Sequence, residues 1–247
     1  MQKVYLGHEQ EYQRMESAGI DAWNKRNTDA ALDAHYVRFL EDMLAQSWCP
    51  QSGRVLEIGC GTAPMLRWFA EKGFSGMGID VAETALRMAK QQTNDRGLEY
   101  RQADICDLDT TQFPKFDICL DGFCLHCLTD EEDRKTMLAN VKSLLAPGGV
   151  FVLLTMCSPI DRANYKKQFP DQIVRDHRIY SPAEDISKYE GTRIFNDKPY
   201  IANRSLFHWE SILKELRIAG FTARLTRINR HTPEEVISSI AVCATVK

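Results

Sequence analysis

The 247-residue chain predicts an α/β fold. The expected architecture is a doubly wound, mostly parallel seven-stranded sheet with an antiparallel last strand, an N-terminal helical cap and an insertion after the fifth strand. Three observations carry this. Short apolar runs alternate with amphipathic helical stretches from Arg54 onward, glycine and proline punctuate the junctions, and the alternation lapses over 158–200 before it resumes.

Residues 8–47 place Tyr12, Met15, Ile20 and Trp23, then Leu32, Tyr36, Phe39, Leu40, Met43 and Leu44, at helical spacing. Two amphipathic helices covering one edge of the sheet are expected there. The alternation then predicts strand 54–58, helix 63–72, strand 75–80, helix 82–93, strand 98–102, strand 116–121, helix 130–145 and strand 149–156. Gly73 stands where a helix should end, and Pro147-Gly148-Gly149 breaks helix from strand. Residues 158–200 mix Pro159, Pro170, Pro182 and Pro199 with aromatics and charges, and read as an insertion rather than another sheet layer. A helix over 205–219 closed by Gly220, a strand over 221–228, a turn at Thr232-Pro233 and a strand over 237–246 complete the pattern. The division is a cap (1–47), a core (48–157 and 201–247) and an insertion (158–200) within one compact domain.

A hydrophobic fraction of 44% and a charged fraction of 26% are those of an ordinary globular protein. No apolar run is long enough for a bilayer, and residues 1–10 lack an apolar export segment, so no membrane partner and a cytoplasmic location are expected. Net charge −3 argues against nucleic acid as a partner. The charge is uneven: residues 158–231 hold 14 Lys/Arg against 9 Asp/Glu, net +5. Of the eight cysteines, Cys106, Cys119, Cys157 and Cys243 lie in apolar segments, where a reduced thiol packs as a small hydrophobe.

The stretch Leu56-Glu57-Ile58-Gly59-Cys60-Gly61 ends a strand in two glycines and feeds a helix. Such a turn lets main chain approach a ligand that a side chain would block. Asp80 closes the next strand, 21 residues after Gly59, where a carboxylate can take both ribose hydroxyls of a nucleoside. The dinucleotide fingerprint needs a third glycine at position 64, and Pro64 stands there, suited to a first helical turn. Glu57 would repel a pyrophosphate and favour a cation. The ligand expected is a nucleoside with positive charge and no phosphate.

These residues resemble motif I of the class I, Rossmann-like S-adenosylmethionine-dependent methyltransferases. The resemblance runs through most of 50–157 and again through 205–247, by way of Gly78-Ile79-Asp80, Gln102-Ala103-Asp104-Ile105, Phe116-Asp117-Ile118-Cys119-Leu120-Asp121 and Leu145-Ala146-Pro147-Gly148-Gly149. It implies S-adenosyl-L-methionine as cofactor. Glu57, Gly59 and Gly61, with Cys60 between the glycines, would line its methionine side. Asp80, followed by Val81, would hold the ribose, Asp104 with the Ile105 main chain the adenine, and Asp121 the aminoacyl end. Asp107 and Asp109 follow Asp104 closely, and any of the three could make that contact, while Asp121 could instead cap a turn.

Cys124-Leu125-His126-Cys127 offers zinc-type ligands, but nothing completes a four-ligand set, and no metal is expected. Methyl transfer from a sulfonium is an in-line displacement with a good leaving group, so proximity and orientation can supply most of the acceleration. Were a base needed, His126, His177, His208 or a tyrosine could serve, His126 by its position beside the expected pocket. Acceptor recognition is expected from the cap and the insertion. The basic residues Arg162, Lys166, Lys167, Arg175, Arg178, Arg193, Lys198 and Arg204 point to a small acceptor with an anionic group, or to a solvated basic surface. The functional reading is methyl transfer to a small molecule. A non-catalytic cofactor-binding sensor or subunit, another enzyme of the same cofactor and a nicotinamide dehydrogenase are the alternatives, the last opposed by Pro64 and Glu57.

Overall fold

The computed structural model describes residues 1–23, 32–93, 97–184, 187–230 and 236–246. Helices α1 (His8–Ser17) and α2 (Ala34–Leu44) precede the alternation β1 (Arg54–Ile58), α3 (Pro64–Glu71), β2 (Ser75–Asp80), α4 (Glu83–Gln91), β3 (Leu98–Gln102), β4 (Phe116–Gly122), α5 (Glu131–Leu144) and β5 (Leu145–Ile160). After α6 (Arg162–Gln168) come β6 (Ile173–Arg175), β7 (Arg178–Pro182), β8 (Arg193–Phe195) and β9 (Lys198–Ser205). The chain closes with α7 (Trp209–Ile218), β10 (Phe221–Asn229) and β11 (Ile237–Val246).

The main sheet has seven strands in the order β10-β11-β5-β4-β1-β2-β3. Strands β1 to β5 pair in parallel, and β11 runs antiparallel to both β5 and β10. Both faces are buried, which is why Val150–Leu154 reads as an unbroken apolar run. Alternate side chains divide it. Val55, Ile118, Leu120, Val152 and Cys243 pack with α2, α3 and α4 on one face, whereas Leu56, Cys119, Phe151, Leu153 and Val242 pack with α5 and α7 on the other.

Three expectations are corrected. The helices of the cap do not cover a sheet edge: α2 inserts Phe39, Leu40 and Met43 into the core of one face, and α1 packs Tyr12 and Met15 on Ala82, Ala85 and Met88 around α4. The lapse after 158 is not free of sheet, since residues 173–205 form a second, four-stranded antiparallel sheet, β6-β7-β9-β8. Its outer strands β6 and β8 have three residues each and no buried one, so no apolar period marked them. The signal present was turn chemistry: Asp176-His177 and Asn196-Asp197 all have positive φ, as two-residue hairpin loops of twisted strands require. Third, β9 takes residues as far as Ser205, so α7 starts at Trp209, N-capped by His208. The turn expected at Thr232-Pro233 lies outside the described residues.

Candidate active site

The order β3-β2-β1-β4-β5 reverses direction between β1 and β4, and the carboxyl ends of parallel strands flanking such a switch point form a crevice. A cavity of about 510 Å³ opens there. Its walls come from the ends of all five parallel strands: Glu57–Thr62 after β1, Asp80 and Val81 after β2, Ala103–Ile105 after β3, Gly122–Cys124 after β4 and Met156 of β5. Tyr5, His8 and Tyr12 from the N-terminus, Phe169 from the insertion, Arg204 of β9 and Ser238 of β11 also line it.

The glycine turn is built for close approach. Gly59 (φ +59°) and Gly61 (φ +52°) are left-handed. A Cβ on Gly59 would lie 3.0 Å from the Cβ of Cys124, and one on Gly61 would lie 2.2 Å from the Tyr12 hydroxyl. Cys60 fixes the turn to β2, its N–H donating to the Ile79 carbonyl at 3.0 Å. Its thiol lies 2.7 Å from where a Cβ on Gly78 would stand.

Asp80 accepts from the Gly61 N–H through Oδ2 and from the Ala82 N–H through Oδ1, both at 2.8 Å. One buried carboxylate thus ties the glycine turn to the end of β2. Burial pushes it up to about 6, against the pull of those backbone N–H groups.

Glu57 is buried, and its Oε2 accepts from the Leu66 N–H in the first turn of α3 at 2.9 Å. The helix N-terminus that would receive a phosphate in a dinucleotide enzyme is thereby capped from within by the Glu57 carboxyl group. Burial raises Glu57 to about 8, with Asp80 and Asp121 adding to the rise.

Asp104 reaches the cavity, its Oδ1 accepting from the Cys106 N–H at 2.8 Å and its Oδ2 from the Tyr5 hydroxyl at 2.9 Å. Asp109 instead caps a short 3₁₀ turn, accepting from Thr111. Asn140 holds the Ile105 carbonyl at 2.8 Å. Asp121 departs from its expected role. Its two oxygens accept from the Cys124 and Leu125 N–H groups, so it caps the 3₁₀ turn Leu125–Cys127 and is not among the residues lining the cavity. Burial lifts it to about 7.

His126 is buried on the cavity wall, its Nδ1 3.4 Å from the Thr155 Oγ1. Burial holds it well below the ordinary imidazole value, with Arg204, His8 and Arg134 pushing the same way. It is neutral at pH 7 and a poor proton acceptor. His177 stacks on Phe207 and His208 caps α7, and neither lines the cavity. His8, not singled out in the sequence, does line it, pushed down to about 4 by burial and Arg204. Among the described residues no group of three or more His, Cys, Asp or Glu is placed to hold a metal. None of their helices is long and apolar enough to cross a membrane.

These shifts set a pH dependence. Groups raised on folding stabilise the native state fully below their unfolded values, and that contribution is lost as pH rises through the folded ones. For Glu57 the window runs from about 4.5 to about 8, so between pH 7.5, above the ordinary imidazole value of 6.5 at which His8 and His126 lose their proton in the unfolded chain, and pH 8.5 stability falls. Glu57→Gln, which keeps an acceptor for Leu66, is expected to flatten that fall. Chemical denaturation at several pH values measures it, and parallel curves for both proteins would refute it.

The fold and the glycine turn together define an α/β architecture whose cavity opens at the carboxyl ends of β1 and β4. Residues 56–153, less than half of the chain, match the Methyltransferase domain family. It is similar to the 2-heptyl-1-hydroxyquinolin-4(1H)-one methyltransferase of Mycobacteroides abscessus, 30% identical over 141 residues, 56% of this chain and 58% of that one. The glycine N-methyltransferase of Mus musculus is 29% identical over 157 residues, 54% and 53% of the two chains. The chain thus spans between half and two thirds of these relatives. Among solved structures, an S-adenosylmethionine-dependent methyltransferase from Clostridium acetobutylicum superposes with a TM-score of 0.61 at 16% identity, covering 95% of this chain and 98% of that one. The Burkholderia thailandensis 1,6-didemethyltoxoflavin-N1-methyltransferase, with its substrate and S-adenosylhomocysteine bound, gives a TM-score of 0.61 at 18% identity over 97% and 87%.

Proposed function

We propose that the protein transfers a methyl group from S-adenosylmethionine to a small molecule bearing an anionic group. The observation carrying this is the glycine turn tied to a buried Asp80 while Glu57 caps α3, an arrangement that suits a nucleoside without phosphates. Asp33, Asp80 and Asp104 make the cavity acidic, as a cationic ligand prefers. Glu57, Gly59, Cys60 and Gly61 would hold the methionine side, Asp80 and Val81 the ribose, and Asp104 and Ile105 the adenine. When bound, the cofactor supplies an electrophilic methyl group on a sulfonium. The chain contributes a cavity at the ends of the parallel strands that orients the acceptor against the cofactor. His126 is a neutral wall of that cavity, since its depressed basicity suits it poorly to take a proton. A cytoplasmic location fits this reading.

Incubation with methyl-labelled cofactor and the small-molecule fraction of a cell extract tests it. Label in a new small product is expected. Cofactor binding with no labelled product from any extract would favour a sensor instead.

A further inference from the structure

Among the described residues Arg204 is the only lysine or arginine lining the cavity. It stands on β9 opposite Ile179 of β7, and its Nη1 donates to the Asn203 carbonyl at 2.6 Å. No carboxylate of the described residues lies within ion-pair distance of it. Cations of the insertion have partners elsewhere: Arg162, Lys166 and Arg178 donate to the carbonyls of Val174, Pro170 and Thr129, and Arg175 pairs with Asp176.

The contrast with Arg134 is informative. That guanidinium, next to the same 3₁₀ turn, is buried and held by both oxygens of Glu215. Arg204 has no such counter-charge. The carboxyl groups that share its cavity are engaged with other donors: Asp33 with the His35 N–H, Glu57 with Leu66, Asp80 with Gly61 and Ala82, and Asp104 with Tyr5 and Cys106. The histidines on the same wall are neutral at pH 7, so Arg204 is the sole positive charge there. Phe123, Phe169, Met156 and Tyr36 supply apolar and aromatic surface to the same cavity.

A half-buried guanidinium with no carboxylate partner among the described residues is a receptor for an oxyanion, and its planar fork matches two oxygens in one plane. We infer that Arg204 binds the acceptor, and that it selects a flat, largely apolar small molecule bearing one carboxylate-like oxyanion. This specificity rests on the methyl-transfer reading. Pairing with Arg204 also favours the ionised form of an acidic acceptor, so a nucleophile can arrive without its proton and without help from His126.

Benzoate and benzamide, equal in shape and different in charge, are the probes, titrated by calorimetry with and without S-adenosylhomocysteine. Benzoate is expected to bind at least about tenfold more tightly than benzamide, and Arg204→Gln to weaken benzoate about 30-fold with benzamide unchanged. Arg204→Lys, keeping the charge but not the fork, should restore part of the loss. Absent benzoate binding, equal affinity for the two probes, or benzoate affinity that survives R204Q would overturn the inference. If R204Q does not fold, the benzoate-to-benzamide ratio of the wild type and of R204K decides. Failure of the wild type to bind S-adenosylhomocysteine would instead count against the methyl-transfer reading, and the probe comparison without it still judges Arg204.

Discussion

Asp80→Asn is expected to lower the affinity for S-adenosylhomocysteine about a hundredfold without lowering thermal stability at pH 7.5. The carboxylate accepts from two backbone N–H groups, Gly61 on the glycine turn and Ala82 before α4. An amide has one acceptor oxygen, so its NH₂ must face one of these donors and leave it unpaired. Hydrogen bonds to a charged group are worth about 1.5–3 kcal/mol each, and losing the charge together with one bond amounts to about 3 kcal/mol, or two orders of magnitude. Stability behaves differently because burial has already raised Asp80 to about 6. Above that pH the folded protein carries an ionised buried carboxylate at a cost, and the neutral amide removes it. Calorimetry and a melting curve on the same sample separate the effects. Affinity within threefold of wild type would show that Asp80 does not organise the site.

The second large effect is on stability. Arg134 of α5 is buried; its Nε and Nη2 donate to Glu215 of α7 at 2.8 and 2.5 Å, and its Nη1 to the Leu125 carbonyl and the Ser205 hydroxyl, each at 2.8 Å. It therefore joins α5, α7, the 3₁₀ turn that carries His126 and the end of β9. Removing one member of a buried ion pair costs about 3–5 kcal/mol, and the partly exposed Glu215 side chain places Arg134→Met at about 3 kcal/mol. The double variant Arg134→Met, Glu215→Leu should recover at least half, because no charge is then left without its partner. Urea unfolding measures both. A loss under about 0.5 kcal/mol for the single variant would assign the pair no structural role.

The main sheet was legible in the sequence because its signals are local. Val150–Leu154 is apolar throughout since both faces of β5 are covered, and Gly59, Gly61 and Pro64 mark the first turn by backbone constraints no other residues meet so well. The β6–β9 sheet was not legible, as two of its strands have only three residues and the sheet buries too little to impose a period, and only Asp176-His177 and Asn196-Asp197 betray its hairpins. At the site, Glu57 and Asp80 were found from their spacing to Gly59, and Asp104 through the family resemblance with Asp107 and Asp109 as alternatives; Glu57, Asp80 and Asp104 line the cavity. Residues brought there by long-range packing were not. Tyr12 lies against Gly61 from a helix 49 positions earlier, and nothing near Tyr12 in the chain announces it. Arg204 was one of eight basic candidates, and only tertiary structure separates the one lining the cavity from the others. Asp121 shows the converse, a carboxylate at an expected position whose oxygens are taken by its own chain's next turn.

The central claim is that this cavity accepts a nucleoside without phosphates beside a capped helix. Parallel calorimetric titrations of the purified protein with S-adenosylhomocysteine and with NAD test it most directly. Saturable heat for the first and none for the second is predicted; binding of NAD with no heat for S-adenosylhomocysteine would contradict it.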